Sequence, residues 1–162
     1  MLYPIGIQSF EKIRQSGYVY VDKTDLIYKI AKTGQYYFLS RPRRFGKSLL
    51  LSTMEAYFQG KKELFDGLAI ASLEKDWTEY SVLHFDLGGA SYADMDSLND
   101  KLGRQLDSLE SRFGVVKKYK TLAVRFDNLI ECAFNKTGRQ VVILVDEYDK
   151  PVIDNLDNPD LQ

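Results

Sequence analysis

Apolar positions along the chain recur with two periods, and each period predicts an element. Tyr18 to Val21 is a short β-like run. Thr24 can cap a helix over Asp25 to Lys32, where Leu26, Ile27, Ile30 and Ala31 share one face and Gly34 ends the run. Tyr36 to Leu39 is a compact run with aromatic β-formers and predicts a buried strand. After a turn over Ser40 to Gly46, the residues Leu50, Leu51, Met54, Tyr57 and Phe58 recur at helical spacing. They predict a helix over Lys47 to Gln59, closed by Gly60. Glu63 to Ile70 reads as a linker holding Leu64, Phe65 and Leu68. Ser81 to Leu87 predicts a second strand, ended by Gly88 and Gly89. Two amphipathic helices follow, over Asp94 to Arg112 and over Lys120 to Asn135, stopped by Gly114 and Gly138. Gln140 to Val145 is the most apolar run and shows no alternation, as expected of a strand covered on both faces.

The order is strand, helix, strand, helix, helix, strand. It predicts an α/β layered domain with a mainly parallel sheet. Ligands of such sheets bind at the carboxyl ends of the strands. Two motifs lie at those ends.

Composition narrows the function without naming it. The chain has 162 residues, enough for one domain, with 44% apolar and 28% charged residues, a folded rather than disordered mix. A net charge of −1 provides no whole-chain field for nucleic acid or an anionic membrane, so any anion binding must come from a local cluster. The single cysteine, Cys132, rules out a disulfide within the chain and reads as a small buried hydrophobe, which suits a reducing, cytoplasmic setting. One histidine and one cysteine cannot build a zinc site. His84 reads as a sheet histidine, and Trp77 and Tyr80 as packing residues. No stretch approaches the ~20 apolar residues of a membrane span, and the first ten residues do not have the form of a secretory signal.

The first motif is Ser40-Arg41-Pro42-Arg43-Arg44-Phe45-Gly46-Lys47-Ser48-Leu49. Gly46, Lys47 and Ser48 match the phosphate-loop pattern G-x-x-x-x-G-K-[ST], but Arg41 stands where its first glycine is expected. The chemistry of the match is direct. A helix N-terminus offers unpaired N–H groups and partial positive charge to a phosphate. Gly46 allows close backbone approach, Lys47 can reach the β- and γ-phosphates, and the Ser48 hydroxyl can ligate Mg²⁺. The bland alternative is a basic turn capped by Ser48. Arg41, Arg43 and Arg44 could add charge beside a nucleotide, bind nucleic-acid backbone, or form a solvated, salt-bridged turn.

The second motif is Val141-Val142-Ile143-Leu144-Val145-Asp146-Glu147-Tyr148-Asp149, an apolar strand ending in Asp-Glu. This is the Walker B pattern. Asp146 would hold Mg²⁺ through a water, and Glu147 would polarise the attacking water. Alone, the pair could merely open a solvent turn. Asp149 and Asp154 read as loop acids. The two motifs support each other within one small α/β chain.

These residues resemble the AAA-ATPase-like domain family of bacterial proteins, often found ahead of a PD-(D/E)xK nuclease-like domain. The resemblance is carried by Tyr3-Pro4-Ile5-Gly6-Ile7 with Phe10, by Tyr20-Val21-Asp22-Lys23-Thr24, by Arg41 to Ser48, by Leu64 to Ile70 and by Asp146-Glu147-Tyr148-Asp149-Lys150-Pro151. The family's own loop carries the Arg-Pro-Arg-Arg string, which accounts for Arg41. The resemblance implies a P-loop NTPase three-layer sandwich of the additional-strand (ASCE) type. It implies ATP binding with Mg²⁺ and ATP hydrolysis in the full-length protein. Lys47 and Glu147 would be catalytic, Arg43 to Leu49 would line the nucleotide, and Ser48 and Asp146 would hold the metal. Asp22-Lys23-Thr24 matches a motif of the family without an assigned chemistry, and either a helix cap at Thr24 or a nucleotide contact is open. In related ATPases a further strand follows Walker B, so residues 1–162 read as the N-terminal part of the domain, cut after the Walker B strand. An incomplete sheet predicts a fragile or self-associating chain. The expected role is a switch or motor for the nuclease-like module, with nucleic acid contacted indirectly. Three alternatives stay open: a non-hydrolysing switch, a small-molecule kinase, and a nucleic-acid module built on Arg41, Arg43 and Arg44.

Overall fold

In the computed structural model, residues 2–40, 42, 44–117 and 119–156 are described. The chain divides into two units, Met1–Glu79 and Tyr80–Gln162.

The first unit is helical. Ser9 caps α1 (Phe10–Gln15), its hydroxyl accepting from the Lys12 N–H at 3.2 Å. Then come α2 (Thr24–Thr33), α3 (Lys47–Phe58), a 3₁₀ turn (Lys62–Phe65) and α4 (Ala69–Leu73). The stretch read as a linker is therefore part of the core. Leu64, Phe65, Leu68 and Ile70 are buried with Phe10, Ile27, Ala56 and Tyr57. Aromatic rings supply much of this core: Phe10 lies 4.8 Å from Phe65, and Phe65 lies 5.1 Å from Trp77, centroid to centroid. Trp77 is thus a packing residue, as its sequence context predicts.

The Asp22-Lys23-Thr24 string has a structural use that differs from the predicted cap. Thr24 is the first residue of α2 and is buried, and the acceptor is Asp22. Its Oδ1 accepts from the Thr24 N–H at 2.9 Å and the Thr24 hydroxyl at 2.7 Å, and its Oδ2 from the Ala69 N–H at 2.7 Å. The Thr24 Oγ1 accepts in turn from the Ile70 N–H at 3.1 Å. Two residues thereby tie the start of α2 to the start of α4. Burial pushes the Asp22 carboxyl up, but these donors, with Arg14 nearby, outweigh it and hold it below the usual carboxylate range.

Residues 36–39 are the main departure from the sequence reading. They belong to no strand among the described residues, and Tyr36 and Phe38 are 93% and 71% exposed. A strand exists only through a hydrogen-bonded neighbour, and aromatic β-formers cannot supply one by themselves. Tyr18 forms a single parallel bridge with Leu2 in place of the β-like run expected at 18–21.

The second unit is α/β. Strands β1 (Val82–Asp86) and β2 (Val142–Asp146) form a two-stranded parallel sheet with Val82 opposite Val142 and Asp86 opposite Asp146. The connection between them is α5 (Met95–Phe113) and α6 (Leu122–Thr137), followed after β2 by the short α7 (Lys150–Ile153). Gly114 and Gly138 end α5 and α6 as predicted. The core joins Leu83 and Phe85 of β1 to Leu106 and Leu109 of α5 and Leu129 and Ala133 of α6. Arg125 of α6 clamps α5, donating to both Glu110 carboxylate oxygens at 2.9 Å and to Asp107 at 2.6 Å. Strand β2 is covered on one face only. Leu144 and Asp146 are buried, while Ile143 and Val145 are 43% and 42% exposed. Its unbroken apolar run therefore does not signal a strand covered on both faces here.

Candidate functional site

The phosphate-loop motif lies in the first unit, the Asp-Glu motif in the second. Arg41 and Arg43 lie outside the described residues.

Helix α3 starts at Gly46, which has φ +76°, a left-handed conformation that glycine adopts without a Cβ clash. A Cβ built there would meet nothing within 4 Å, so this position calls for glycine by its backbone angle and not by crowding. The first ladder bond of α3 runs from the Leu50 N–H to the Gly46 carbonyl at 3.0 Å. The N–H groups of Lys47, Ser48 and Leu49 lie ahead of that ladder. Among the described residues no side chain caps α3, and its first turn carries no acid. The predicted Ser48 cap is therefore absent, and Ser48 sits one residue inside the helix. Arg44, Phe45 and Gly46 are exposed, while Lys47, Ser48 and Leu49 are half-buried. Arg44 has φ +66°, a conformation that arginine rarely adopts. The body of α3 is anchored by Thr53, Ala56 and Tyr57 in the core and by Ser52, whose Oγ accepts from the Phe10 N–H at 3.0 Å. A rigid helix thus carries an open, electropositive first turn, which can bind a phosphate or another small anion.

At the other motif, Asp146 closes β2 and is buried. Its Oδ1 accepts from the Glu147 N–H at 3.0 Å, and its carbonyl accepts from the Leu87 N–H at 3.0 Å. Glu147 has φ +53°, a conformation glutamate rarely adopts. Asp149 precedes α7 and makes no side-chain cap. Asp154 is more than a loop acid: Lys150 contacts it at 2.6 Å, and its Oδ2 accepts from the Tyr92 N–H at 3.1 Å.

Sequence reasoning missed the neighbours that the parallel register supplies. Asp86 ends β1 directly across from Asp146, and its Oδ1 accepts from the Gly88 N–H at 2.7 Å. Tyr92 is buried, and its hydroxyl donates to the Leu87 carbonyl at 2.8 Å. Burial raises its phenol above the ordinary range, and the charges of Asp86 and Asp154 raise it further. Asn155 donates to the Tyr92 carbonyl at 2.7 Å, and Lys101 to the Gly88 carbonyl at 3.0 Å. The signal for Asp86 was present, since β1 ends in Asp-Leu-Gly-Gly much as β2 ends in Asp-Glu. Nothing local marked Tyr92.

Among the described residues, no three His, Cys, Asp or Glu side chains are grouped to hold a metal ion. Ser48 and Asp146 are hard oxygen donors of the kind Mg²⁺ takes. Ser48 lies in the first unit and Asp146 in the second, and each could supply Mg²⁺ with one oxygen beside phosphate and water. No helix among the described residues is long and apolar enough to cross a membrane.

The family described as Predicted AAA-ATPase matches residues 4–162, and the chain belongs to it. The chain is 43% identical over 160 residues to an uncharacterized protein in the vnfD 5′ region of Azotobacter chroococcum mcd 1. That match covers 98% of this chain and 31% of the relative, so the chain spans about a third of the relative's length. No solved structure matches it.

Proposed function

We propose that this chain contributes a P-loop site of the additional-strand type that binds Mg·ATP, and that the full-length protein hydrolyses it. The observation that carries this reading is the first turn of α3. Gly46 is left-handed there, no side chain among the described residues caps the helix, and Lys47 and Ser48 follow at once. In this reading the free N–H groups of the turn hold the phosphates, with Arg43, Arg44, Phe45 and Leu49 lining them. The Lys47 ammonium neutralises the terminal phosphates, and Ser48 and Asp146 hold Mg²⁺. Bound Mg²⁺ would offset phosphate charge. Glu147 orients and deprotonates water. The site acts as a switch or motor, and residues 1–162 are the N-terminal part of its domain. The coupled module proposed is a PD-(D/E)xK nuclease-like domain.

Calorimetry with Mg·ATP on the full-length protein and on this chain tests the site. Lys47→Ala removes a charged hydrogen-bond partner of the phosphates, so affinity should fall about 10- to 100-fold. Equal affinity in wild type and variant would overturn the reading. A second reading is a non-hydrolysing switch; strain like that at Glu147 occurs at catalytic sites and switch regions alike, so turnover decides between the two. Turnover that is nil in full-length wild type, and so unaltered by Glu147→Gln, would favour the switch.

A further inference from the structure

Glu147 is held in a backbone conformation that glutamate avoids, at φ +53°. Such a residue persists only where its surroundings over-determine it. The surface facing its side chain is the turn after β1. A Cβ added at Gly88 would lie 3.3 Å from Glu147 Cγ, 3.7 Å from Glu147 Cβ and 2.9 Å from Asp86 Oδ1. Gly88 is not in the left-handed region, so alanine there would meet no backbone penalty of that kind. What a side chain at Gly88 would meet is the two acids: the Asp86 carboxylate would have to shift and Glu147 Cγ to give by a few tenths of an ångström.

The turn has little freedom to retreat. The Leu87 N–H donates to the Asp146 carbonyl at 3.0 Å, and the Gly88 N–H to Asp86 Oδ1 at 2.7 Å. The Tyr92 hydroxyl holds the Leu87 carbonyl from another side, and Lys101 holds the Gly88 carbonyl. A group added at Gly88 must therefore displace Glu147 or Asp86.

We infer that Gly88 is a positioning residue for Glu147: its missing Cβ is the space against which the Glu147 side chain is set. The structural half of this inference stands on the contacts above. Its consequence for turnover rests on the reading of Glu147 as the base.

A double-mutant cycle on the full-length protein, read by chemical denaturation, tests the structural half without needing turnover. Its members are wild type, Gly88→Ala, Glu147→Gly and the double variant. Glu147→Gly removes Cγ and frees the strained backbone, while the Asp86 contact is common to both Gly88→Ala variants and cancels. The fall in the unfolding equilibrium constant caused by Gly88→Ala should be smaller by at least about threefold in the Glu147→Gly background. Equal falls in the two backgrounds overturn the inference. If Gly88→Ala does not fold alone, all four members are compared in the same stabilising osmolyte, and equal falls in the two backgrounds again overturn the inference.

The functional half is read separately. Gly88→Ala should keep Mg·ATP affinity while kcat falls about tenfold or more, and Gly88→Ala at wild-type kcat, where Glu147→Gln is inactive, overturns this half. Wild-type turnover in Glu147→Gln would overturn the reading of Glu147 as base, and the unfolding cycle would still decide the placement.

Discussion

Glu147 and Gly46 take up the same region of backbone space, and only one of them is suited to it. Gly46 reaches φ +76° without cost, whereas Glu147 at φ +53° carries Cβ strain of about 1–3 kcal/mol. Replacing Glu147 by glycine should therefore stabilise the fold by about 1 kcal/mol net, after glycine's greater loss of chain entropy is subtracted. Urea denaturation of the single variant checks this, and an unchanged or lower midpoint would show that the observed angle stores no strain. The same substitution removes the proposed base, so stability and turnover should move in opposite directions. That pattern separates a working residue from a merely structural one. Arg44 presents a parallel case in the phosphate loop, with φ +66° and an exposed side chain.

Between elements, the polar groups that matter are buried ones with several partners. Glu74 follows α4 and is buried. It accepts from the Tyr57 hydroxyl of α3, from Lys32 of α2 at 3.0 Å, and from the N–H groups of Lys75 and Asp76. Burial pushes its carboxyl up, but Tyr57, Lys32 and the Asp76 N–H prevail and lower it from 4.5 to about 2. A folded-state value below the unfolded one stabilises the fold at pH above the unfolded value. That stabilisation is lost as pH falls through the folded value. Stability should thus decline between about pH 4.5 and about pH 2, by up to about 3 kcal/mol from this group. Glu74→Gln should flatten that part of the profile while lowering stability at neutral pH. An acid limb with the same slope in both proteins would assign the loss to other carboxylates.

For the chain as a whole, exposed apolar surface is the feature with consequences. Tyr36 and Phe38 are exposed outside any described strand, and Ile143 and Val145 expose one face of β2. Surface of this kind favours association. Sedimentation equilibrium on this chain should show concentration-dependent self-association. Lysine at position 36 or 38 should weaken it about tenfold, the worth of burying one aromatic side chain. No shift for either variant would place the contact elsewhere. Much of the architecture was legible beforehand. The amphipathic faces of α5 and α6, their glycine stops, the start of α3 at Gly-Lys-Ser and the strand ending in Asp-Glu all follow from rules that span a few residues. Those rules act through local sterics and periodicity, so a single chain displays them. Pairing does not work that way. Whether Tyr36 to Leu39 becomes a strand depends on a neighbour elsewhere in the chain, and local composition pointed to the wrong answer. The placement of Asp86 opposite Asp146, the pressing of Gly88 against Glu147 and the joining of α2 to α4 through Asp22 likewise arise from residues 47 to 60 positions apart brought next to each other. Chain connectivity leaves such meetings open, and packing within each unit closes them.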